Sequence, residues 1–287
     1  MTLEGSAEAC AALLTASGPP VLLTGAGIST DSGIPDYRGA DGRQRRGAPI
    51  SYHEFRRKPS ARRRYWARST LGWPHVAAAQ PNDGHRVLAA LQRAGLFGPI
   101  ITQNVDKLHQ SAGSSRVIDL HGSLAEAICL NCGTIESRVA VQRRILAANP
   151  AWKAACGAVA PDGDVQLDAT RERTFQVPAC GRCGGVLKPN VVLFGENVPR
   201  SRVNRAFRLF DSAGSLLVLG SSLTVFSGYR FVLHAQNLGI PVVIVNDGKT
   251  RGDKHSTLKV SARLGQLLPA LHARLYTRRV EPAVLPY

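Results

Sequence analysis

The feature that most constrains how this chain folds is a short apolar segment that runs into a glycine-rich turn. Residues 21–24 (VLLT) lie between the turn formers Gly18-Pro19-Pro20 and Gly25, which predicts a short buried strand. Gly25-Ala26-Gly27 allows the backbone to turn tightly and to approach a ligand without an intervening Cβ. A strand that enters a Gly-x-Gly turn is typical of the start of a dinucleotide-binding fold, in which backbone N–H groups hold a pyrophosphate.

The sequence departs from the usual dinucleotide fingerprint after this turn. Thr30 stands where a third glycine is expected, and Gly33 and Pro35 prevent a long helix. The turn is therefore predicted to lead into a short helix and then a loop rich in ligand-capable side chains. On its own, the Gly-x-Gly pattern fits a cofactor site and an ordinary tight turn equally well.

Four further apolar segments, 99–102, 117–120, 216–219 and 242–245, also have the length and turn signals of buried strands. An amphipathic helix is predicted over 84–94, and a first helix over 3–16, which favours an α/β fold with a parallel sheet. Ligands bind at the carboxyl ends of such strands. The polar or small residues that follow these ends are Gln103, Asn104, Asp106, His121, Gly220, Ser221, Ser222, Asn246 and Gly248.

Two of these strand ends carry groups suited to chemistry. Asn104 and Asp106 offer an amide and a carboxylate to a carboxamide-bearing ligand. His121 leaves a strand end beside Gly122, and a histidine placed there suits a general base because its ordinary pKa lies near neutrality. The alternative is that His121 is a satisfied polar group with no role in chemistry. His109, on the helix that follows, is expected to be structural.

Two CxxC knuckles, each followed by glycine, predict a metal site. Their four cysteines, Cys129, Cys132, Cys180 and Cys183, form a closed tetrahedral set for one zinc ion with no open position, so the zinc is expected to be structural. A redox motif or a pair of disulfides is the weaker alternative, because paired knuckles in a chain without secretory features indicate metal. Cys10 and Cys156 are treated as ordinary residues.

The remaining segments suggest where a protein substrate is bound. Residues 50–72 are helical in character with a break at Pro59, and Tyr65 and Arg68 share one helix face, where they either contact ligand or only pack and face solvent. Residues 186–196 are expected to return the chain to the sheet, and Val191 to Phe194 offer an edge for strand addition by an extended peptide. The long insert 133–179 between the knuckles has no assigned role.

Charge and hydropathy narrow the class of protein. The net charge of +16 invites a nucleic-acid interpretation, but the basic residues are spread and lack interleaved aromatics, so nucleic-acid recognition is not expected. Arginine-rich usage alone accounts for that charge. No apolar run approaches the roughly 20 residues of a membrane span. The first ten residues carry no secretory signal, so we expect the cytoplasm of a bacterium.

The motifs of this chain, taken in order, are GAGIST, IPDYR, TQNVD, HG, the two knuckles, KPNVVLFGE, GSSL and VNDG. From about Val21 to Pro269, they resemble those of the sirtuin family of NAD-dependent protein lysine deacylases. RYWAR, LGWP, APDGDV and SGYRF resemble the class II branch. The resemblance implies a Rossmann-like doubly wound parallel sheet with an inserted smaller zinc-binding and helical domain. Its Rossmann-like parts would be 1–48, 81–125 and 189–275, its helical part 49–80, its zinc module 126–188 and its tail 276–287.

The resemblance also implies roles for individual residues. His121 would be the proton acceptor, with Asn104 and Asp106 beside it, and Val191 and Phe194 would bracket the substrate lysine. NAD would contact Gly25, Ala26, Gly27, Ile28, Asp36, Tyr37, Arg38, Gln103, Asn104, Asp106, Gly220, Ser221, Ser222, Asn246, Gly248 and Leu264.

By the same resemblance, the acyl carbonyl oxygen attacks the ribose carbon as nicotinamide leaves, and positioning supplies much of the rate. His121 then removes a ribose hydroxyl proton, and the products are nicotinamide, O-acyl-ADP-ribose and free lysine. Two positions qualify this implication. Asn190 replaces the aspartate of the common KPDVV form, which removes a charge beside the substrate strand. Tyr65-x-x-Arg68 resembles the pair that holds an acyl carboxylate in the desuccinylating branch, so larger or acidic acyl groups are expected as well as, or instead of, acetyl.

Four alternatives remain open at this point. An NAD-dependent mono-ADP-ribosyltransferase or a lipoamidase would keep the same NAD site. The missing third glycine argues against an NAD oxidoreductase. A non-catalytic scaffold that binds NAD and zinc would not need His121 as a base. The acyl preference, the protein targets and the oligomeric state are not readable from the sequence.

Overall fold

The computed structural model describes residues 2–36, 49–152 and 172–280. The strands are β1 (Pro20–Thr24), β2 (Ile100–Thr102), β3 (Val117–Asp119), β4 (Gly122–Cys129), β5 (Ile135–Ser137), β6 (Leu187–Val191), β7 (Ser215–Leu219), β8 (Val242–Val245) and β9 (Leu258–Val260). The α-helices are α1 (Leu3–Ser17), α2 (Tyr52–Arg57), α3 (Pro59–Ala78), α4 (Asp83–Arg93), α5 (Leu108–Ser111), α6 (Arg138–Ala148), α7 (Arg200–Phe207), α8 (Phe226–Asn237) and α9 (Leu264–Val280).

Six of the strands form one parallel sheet in the order β3-β2-β1-β7-β8-β9. The chain builds outward from β1 in one direction through β2 and β3, and in the other through β7, β8 and β9. The strand order therefore reverses between β1 and β7, and the carboxyl ends of these two strands border the crevice where open α/β sheets bind ligands. This arrangement confirms the predicted α/β fold with a parallel sheet.

Helices cover both faces of this sheet, as the alternation of side chains in β1 shows. Leu22 joins an apolar cluster with residues of α1, α4 and α9, whereas Val21 and Leu23 join a cluster with residues of α7 and α8 on the opposite face. Every residue of β1 is buried. Continuous apolar runs of this kind are what a parallel sheet needs when both of its faces are covered.

A second, smaller layer holds the helices α2, α3 and α6 against an antiparallel sheet in the order β5-β4-β6. Trp66 of α3 donates from Nε1 to the Leu187 carbonyl of β6 at 3.2 Å. The buried guanidinium of Arg138 lies 5.3 Å from the Trp66 ring centre and 4.8 Å from that of Trp73. These contacts join the helical part to the sheet that carries the cysteines.

The expectation that residues 186–196 return to the parallel sheet is wrong. β6 pairs antiparallel with β4, with Cys129 opposite Leu187 and Gly122 opposite Val191. An apolar run indicates a strand but does not encode its partner, and Leu187 is buried in the cluster of the smaller layer rather than against β1. The sequence also gave no prediction of β9, which forms the far edge of the parallel sheet.

The domain boundaries expected from the sequence remain predictions. The structure shows that β4 and β6 pair in one small sheet, with Gly122 opposite Val191. Helix α3 continues through Pro74 to Ala78, beyond the predicted helical segment. No helix within the described ranges combines the length and apolar character needed to cross a bilayer.

Candidate active site

The turn after β1 lies directly against the end of β7. The Gly25 and Gly27 N–H groups donate to the carbonyls of Leu219 and Gly220 at 3.0 and 2.9 Å. A Cβ built at Gly25 would lie 2.7 Å from the Gly220 oxygen, and Gly220 itself has φ +62°, so neither position accommodates a side chain. Two short 3-10 turns, Ala26–Ile28 and Thr30–Ser32, follow in place of a long helix, as predicted.

Three polar side chains meet beneath this turn. Ser29 donates from Oγ to Asp106 Oδ2 at 2.7 Å, and Asn104 Nδ2 donates to Ser29 Oγ and to the Gly25 carbonyl, both at 3.1 Å. Asp106 also accepts from the Leu108 N–H at 2.9 Å. Burial raises the pKa of the Asp106 carboxyl, against the opposing effect of these hydrogen bonds.

From the sequence, Ser29 was one of several ligand-capable side chains of the loop that follows the glycine turn, and no role was assigned to it. Its side chain is fully buried, and its Oγ atom forms hydrogen bonds with both Asn104 and Asp106. The available signal was its position directly after Ile28, because a hydroxyl in a cofactor turn has to face either solvent or the neighbouring strand end.

Hydrogen bonds also connect strand ends across the crevice and beyond it. Gln103 Nε2 donates to Ser221 Oγ at 2.8 Å, which links the end of β2 to the end of β7 across β1. Asn246 Nδ2 donates to the Gly248 carbonyl at 3.2 Å, after β8. Gln103, the turn, Ser221 and Asn246 thus lie in this order along one edge of the sheet, at the ends of β2, β1, β7 and β8.

The remaining residues that were predicted to contact the cofactor are Ser222, Leu264, Asp36, Tyr37 and Arg38. Ser222 Oγ lies 3.1 Å from Thr224 Oγ1, and Leu264 begins α9 with its side chain buried. Asp36 is the last described residue before residue 49. Tyr37 and Arg38, which were also predicted to contact the cofactor, lie outside the described residues.

His121 is held by two hydrogen bonds, one at each ring nitrogen. Nδ1 lies 2.9 Å from the Gln103 carbonyl oxygen, and Nε2 lies 2.8 Å from Ser227 Oγ at the start of α8. Burial lowers the pKa of His121 to about 4, and the positive charges of Arg202 and Arg230 act in the same direction. The imidazole is therefore neutral at pH 7, as a proton acceptor has to be.

The predicted substrate segment lies beside His121. The Val192 N–H donates to the His121 carbonyl at 2.8 Å, so the end of β6 is tied to the backbone of the histidine. Val191 is buried, whereas the Phe194 side chain is 44% exposed. The buried Lys188 donates from Nζ to the Val191 carbonyl at 2.5 Å and to Glu196 Oε2 at 2.9 Å, and Glu196 Oε2 also accepts the Leu193 N–H at 2.9 Å.

Tyr65 and Arg68 are placed on the same side of α3 but in different surroundings. Tyr65 is buried, with its ring centre 5.5 Å from those of Phe55 and Trp66. Arg68 Nε donates to Glu172 Oε1 at 2.8 Å. The carboxylate of Glu172 belongs to the segment between the two knuckles, a relationship that the sequence did not indicate.

The four cysteines of the two knuckles lie together at the end of the small sheet. All four sulfurs are within 4.8 Å of one another, with Cys129 to Cys183 at 3.5 Å and Cys132 to Cys180 at 3.8 Å. Thiolates around a tetrahedral zinc, at a Zn–S distance of about 2.3 Å, lie about 3.8 Å apart. The Asn131 N–H donates to Cys129 Sγ at 3.4 Å. The geometry fits one structural zinc ion, as predicted.

Comparison with known proteins agrees with this geometry. The model of the Sir2 family matches residues 25–227. The chain is 52% identical over 252 residues to the NAD-dependent protein deacetylase of Xanthomonas axonopodis pv. citri (strain 306), covering 88% of this chain and 86% of that protein. It is 46% identical over 265 residues to the mitochondrial NAD-dependent protein lipoamidase sirtuin-4 of Bos taurus, covering 91% and 84% respectively.

A solved structure of Sir2 with a p53 peptide and NAD+ superposes with a TM-score of 0.74 at 31% identity, covering 96% of this chain and 99% of that one. The likeness therefore extends over both layers of the fold and includes the edge of the sheet where the polar strand ends meet.

Proposed function

Because the chain belongs to the Sir2 family and is an NAD-dependent protein deacylase, we propose that His121 is its general base and that Asn104 and Asp106 complete the reactive centre. The observation that carries this assignment is the position of His121. Its neutral imidazole lies at the sheet edge next to the cofactor turn, while its own carbonyl holds the Val192 N–H of the substrate segment. One residue thus contacts both sides of the site.

NAD fits the crevice by the chemistry of the groups present. Gln103, Asn104, Asp106 and Ser29 offer amides, a carboxylate and a hydroxyl at one point, which suits a carboxamide and a ribose. In the cofactor turn, the Ala26 N–H donates to no acceptor within the described ranges, so it is open to a phosphate oxygen. The proposed adenosine contacts follow β7 and β8: Gly220, Ser221, Ser222, Asn246, Gly248 and, at α9, Leu264.

We assign the substrate peptide to the segment that ends β6. β6 is an edge strand of the small sheet in the part of the chain that the structure describes, which suits strand addition by an extended acyl-lysine peptide. Val191 and the exposed ring of Phe194 would bracket the lysine stem. The Lys188–Glu196 pair holds the backbone between them in one conformation.

NAD, when bound, supplies the ribose carbon to which the acyl oxygen is transferred as nicotinamide departs. The chain's own part is to position the groups and to move one proton. Asn104 and Asp106, held by Ser29, orient the ribose and carboxamide, and His121 Nε2 takes the ribose hydroxyl proton. The zinc ion stabilises the small sheet and takes no part in the reaction, since its four cysteine ligands leave no open position.

We propose acetyl and also larger or acidic acyl groups, with Tyr65 and Arg68 near the acyl end. The 46% identity to a protein named a lipoamidase supports including lipoyl-lysine among the candidates. A bacterial cytoplasmic location and the absence of nucleic-acid recognition also remain proposals, of which the first is supported by the bacterial relatives.

The test is nicotinamide release from NAD with acetyl-, succinyl-, glutaryl- and lipoyl-lysine peptides. In the wild-type protein we expect nicotinamide release to require the peptide and to yield O-acyl-ADP-ribose. In His121→Ala we expect the rate of deacylation to fall at least about a hundredfold. His75→Ala, which removes an exposed histidine at the end of α3, is the matched control. Label from adenine-marked NAD that stays on protein, without deacylation, would instead favour ADP-ribosyl transfer.

A further inference from the structure

The hydrogen bonds of His121 define which ring nitrogen is basic. A backbone carbonyl oxygen only accepts hydrogen bonds, so the contact of Nδ1 with the Gln103 carbonyl places the proton of the neutral imidazole on Nδ1. Nε2 then carries the lone pair, and the Ser227 hydroxyl 2.8 Å away donates to it. The ring is thus held from both edges, with its basic nitrogen engaged by a side chain 106 residues distant in sequence.

The fold brings Ser227 to this position through a close contact between α8 and the end of β2. Gly228 lies so near the Gln103 side chain that a Cβ there would be 2.5 Å from its Oε1 atom, and Gln103 is itself held by Ser221. Ser227 is only 9% exposed, so its hydroxyl is directed inward rather than at water. The first turn of α8 therefore presents a buried hydroxyl to His121 and to no other side chain within the described ranges.

We propose that Ser227 is a positioning residue for the base His121, an inference that rests on the proposed role of that histidine. A hydroxyl has one hydrogen and two lone pairs, so it serves both protonation states of the ring. Before the proton transfer Ser227 donates to Nε2. Nε2 has a single lone pair, so the substrate hydroxyl takes the place of the Ser227 hydrogen there and gives its proton to Nε2 as its oxygen turns to the acyl carbon. Once the substrate oxygen has moved away, the new Nε2–H group donates to Ser227 Oγ. The proton ends on His121, and Ser227 keeps its own.

Ser227→Ala and Ser227→Thr separate this role from a merely structural one. Nicotinamide leaves before the base acts, so exchange of labelled nicotinamide into NAD reports the earlier step, and deacylation reports the step that needs His121. For Ser227→Ala we expect deacylation to fall about tenfold relative to exchange, equivalent to about one net hydrogen bond of 1.4 kcal/mol. Ser227→Thr, which keeps the hydroxyl, should recover most of that ratio.

Ser215→Ala is the matched control, because it removes a buried serine hydroxyl that has no hydrogen-bond partner in the described chain and lies at the start of β7. Retained exchange also shows that a variant is folded and binds both substrates. An unchanged ratio of deacylation to exchange in Ser227→Ala would overturn the proposal. If the wild-type protein shows no deacylation that depends on His121, the proposed function fails instead, and the two outcomes are distinct.

A second measurement does not depend on activity. In the NAD-free protein, the Nε2 nitrogen of His121 is identified by long-range ¹⁵N NMR as the signal missing from His121→Ala. A donated hydrogen bond shifts a pyridine-type nitrogen away from its unbonded value. We expect the signal to move toward the unbonded value in Ser227→Ala and to stay in place in Ser227→Thr. A signal that does not respond to Ser227→Ala would contradict the hydrogen bond itself.

Discussion

Arg68 donates from Nε to Glu172 Oε1 at 2.8 Å, so the arginine proposed to hold an acyl carboxylate is already paired with a carboxylate of the chain itself. The two side chains are only 23% and 12% exposed, which limits screening of their charges by solvent. Glu172 belongs to the segment between the knuckles. If the acyl end reaches Arg68, an acidic acyl group has to compete with Glu172 there, whereas a neutral one does not.

Replacing Glu172 by glutamine should therefore change the acyl preference. The amide keeps the shape of the side chain but removes its charge, so a succinyl or glutaryl carboxylate no longer competes with the Glu172 carboxylate for Arg68. We expect kcat/KM on the acidic peptides to rise about tenfold relative to acetyl, the equivalent of about 1.4 kcal/mol. Competition assays with mixed succinyl- and acetyl-lysine peptides measure this ratio directly.

Two controls accompany Glu172→Gln. Glu8→Gln removes another arginine-paired carboxylate, on α1, and should leave the ratio unchanged. Combining Glu172→Gln with Arg68→Ala should cancel the gain. A ratio that stays at its wild-type value in Glu172→Gln, or a gain that survives loss of Arg68, would exclude Arg68 as the acyl-carboxylate site.

Asn190 has a local explanation that the sequence did not reveal. Its Nδ2 donates to Glu126 Oε2 of the neighbouring strand at 2.7 Å, so an amide here supplies a hydrogen that an aspartate cannot. Asn190→Asp would place two carboxylates in contact and raise the pKa of one of them. A raised carboxyl pKa makes the folded state bind more protons than the unfolded state, so the penalty grows as the pH rises.

We expect Asn190→Asp to lower the free energy of unfolding by about 1 kcal/mol at pH 8, and by less at pH 5. Urea unfolding at the two pH values measures both numbers. Adding Glu126→Gln restores a donor beside the new carboxylate and should recover the loss, as a double-mutant cycle tests. Equal destabilisation at both pH values would show that the effect is steric rather than electrostatic.

The features that could be predicted from the sequence are those formed by residues close together in the chain. The β1 strand, the glycine turn, the polar strand ends and the four cysteines are encoded within short motifs, and the structure places them where the sequence indicates. Ser227 beside His121 and Glu172 beside Arg68 join segments more than 100 residues apart, and no local pattern encodes such pairs. The same reason explains the wrong partner expected for β6, because its apolar residues suit either sheet.

Besides His121, whose pKa burial also lowers, two further buried histidines should make the fold sensitive to acid. His109 Nε2 lies 2.9 Å from Thr24 Oγ1, and its ring centre is 4.9 Å from that of His85. Burial lowers the pKa of His85 to about 4 and that of His109 to about 3. Unfolded histidines bind protons below about pH 6.5, so the unfolded state is favoured as the pH falls from there toward 4.

The free energy of unfolding should thus decrease below about pH 6.5, by up to about 1.4 kcal/mol per pH unit for each such histidine. His109→Gln keeps a hydrogen-bonding amide near the Nε2 position but has no titratable group. The free energy of unfolding should therefore fall less steeply with decreasing pH in this variant than in the wild type. Urea unfolding at pH 7, 6 and 5 provides the comparison, with His75→Ala as the exposed control. A slope that is the same in His109→Gln and the wild type would exclude His109 as its source.

The zinc site and the proposed substrate segment lie at opposite ends of the same pair of strands. β4 and β6 pair Cys129 with Leu187 near the metal and Gly122 with Val191 beside His121. Removing zinc leaves four thiols to separate, and the register that holds Val191 depends on this pair of strands. The NAD crevice rests on the parallel sheet, which shares no strand with it.

Chelation of zinc should therefore abolish deacylation while NAD binding persists, because loss of the small sheet displaces the peptide segment first. Isothermal titration with NAD and a parallel deacylation assay measure the two effects, and added zinc should restore activity. Cys129→Ala should reproduce the loss, whereas Cys10→Ala removes a buried thiol of α1 outside the cluster and should retain one zinc per chain. Full deacylation by metal-free protein would show that the register of β6 does not depend on zinc.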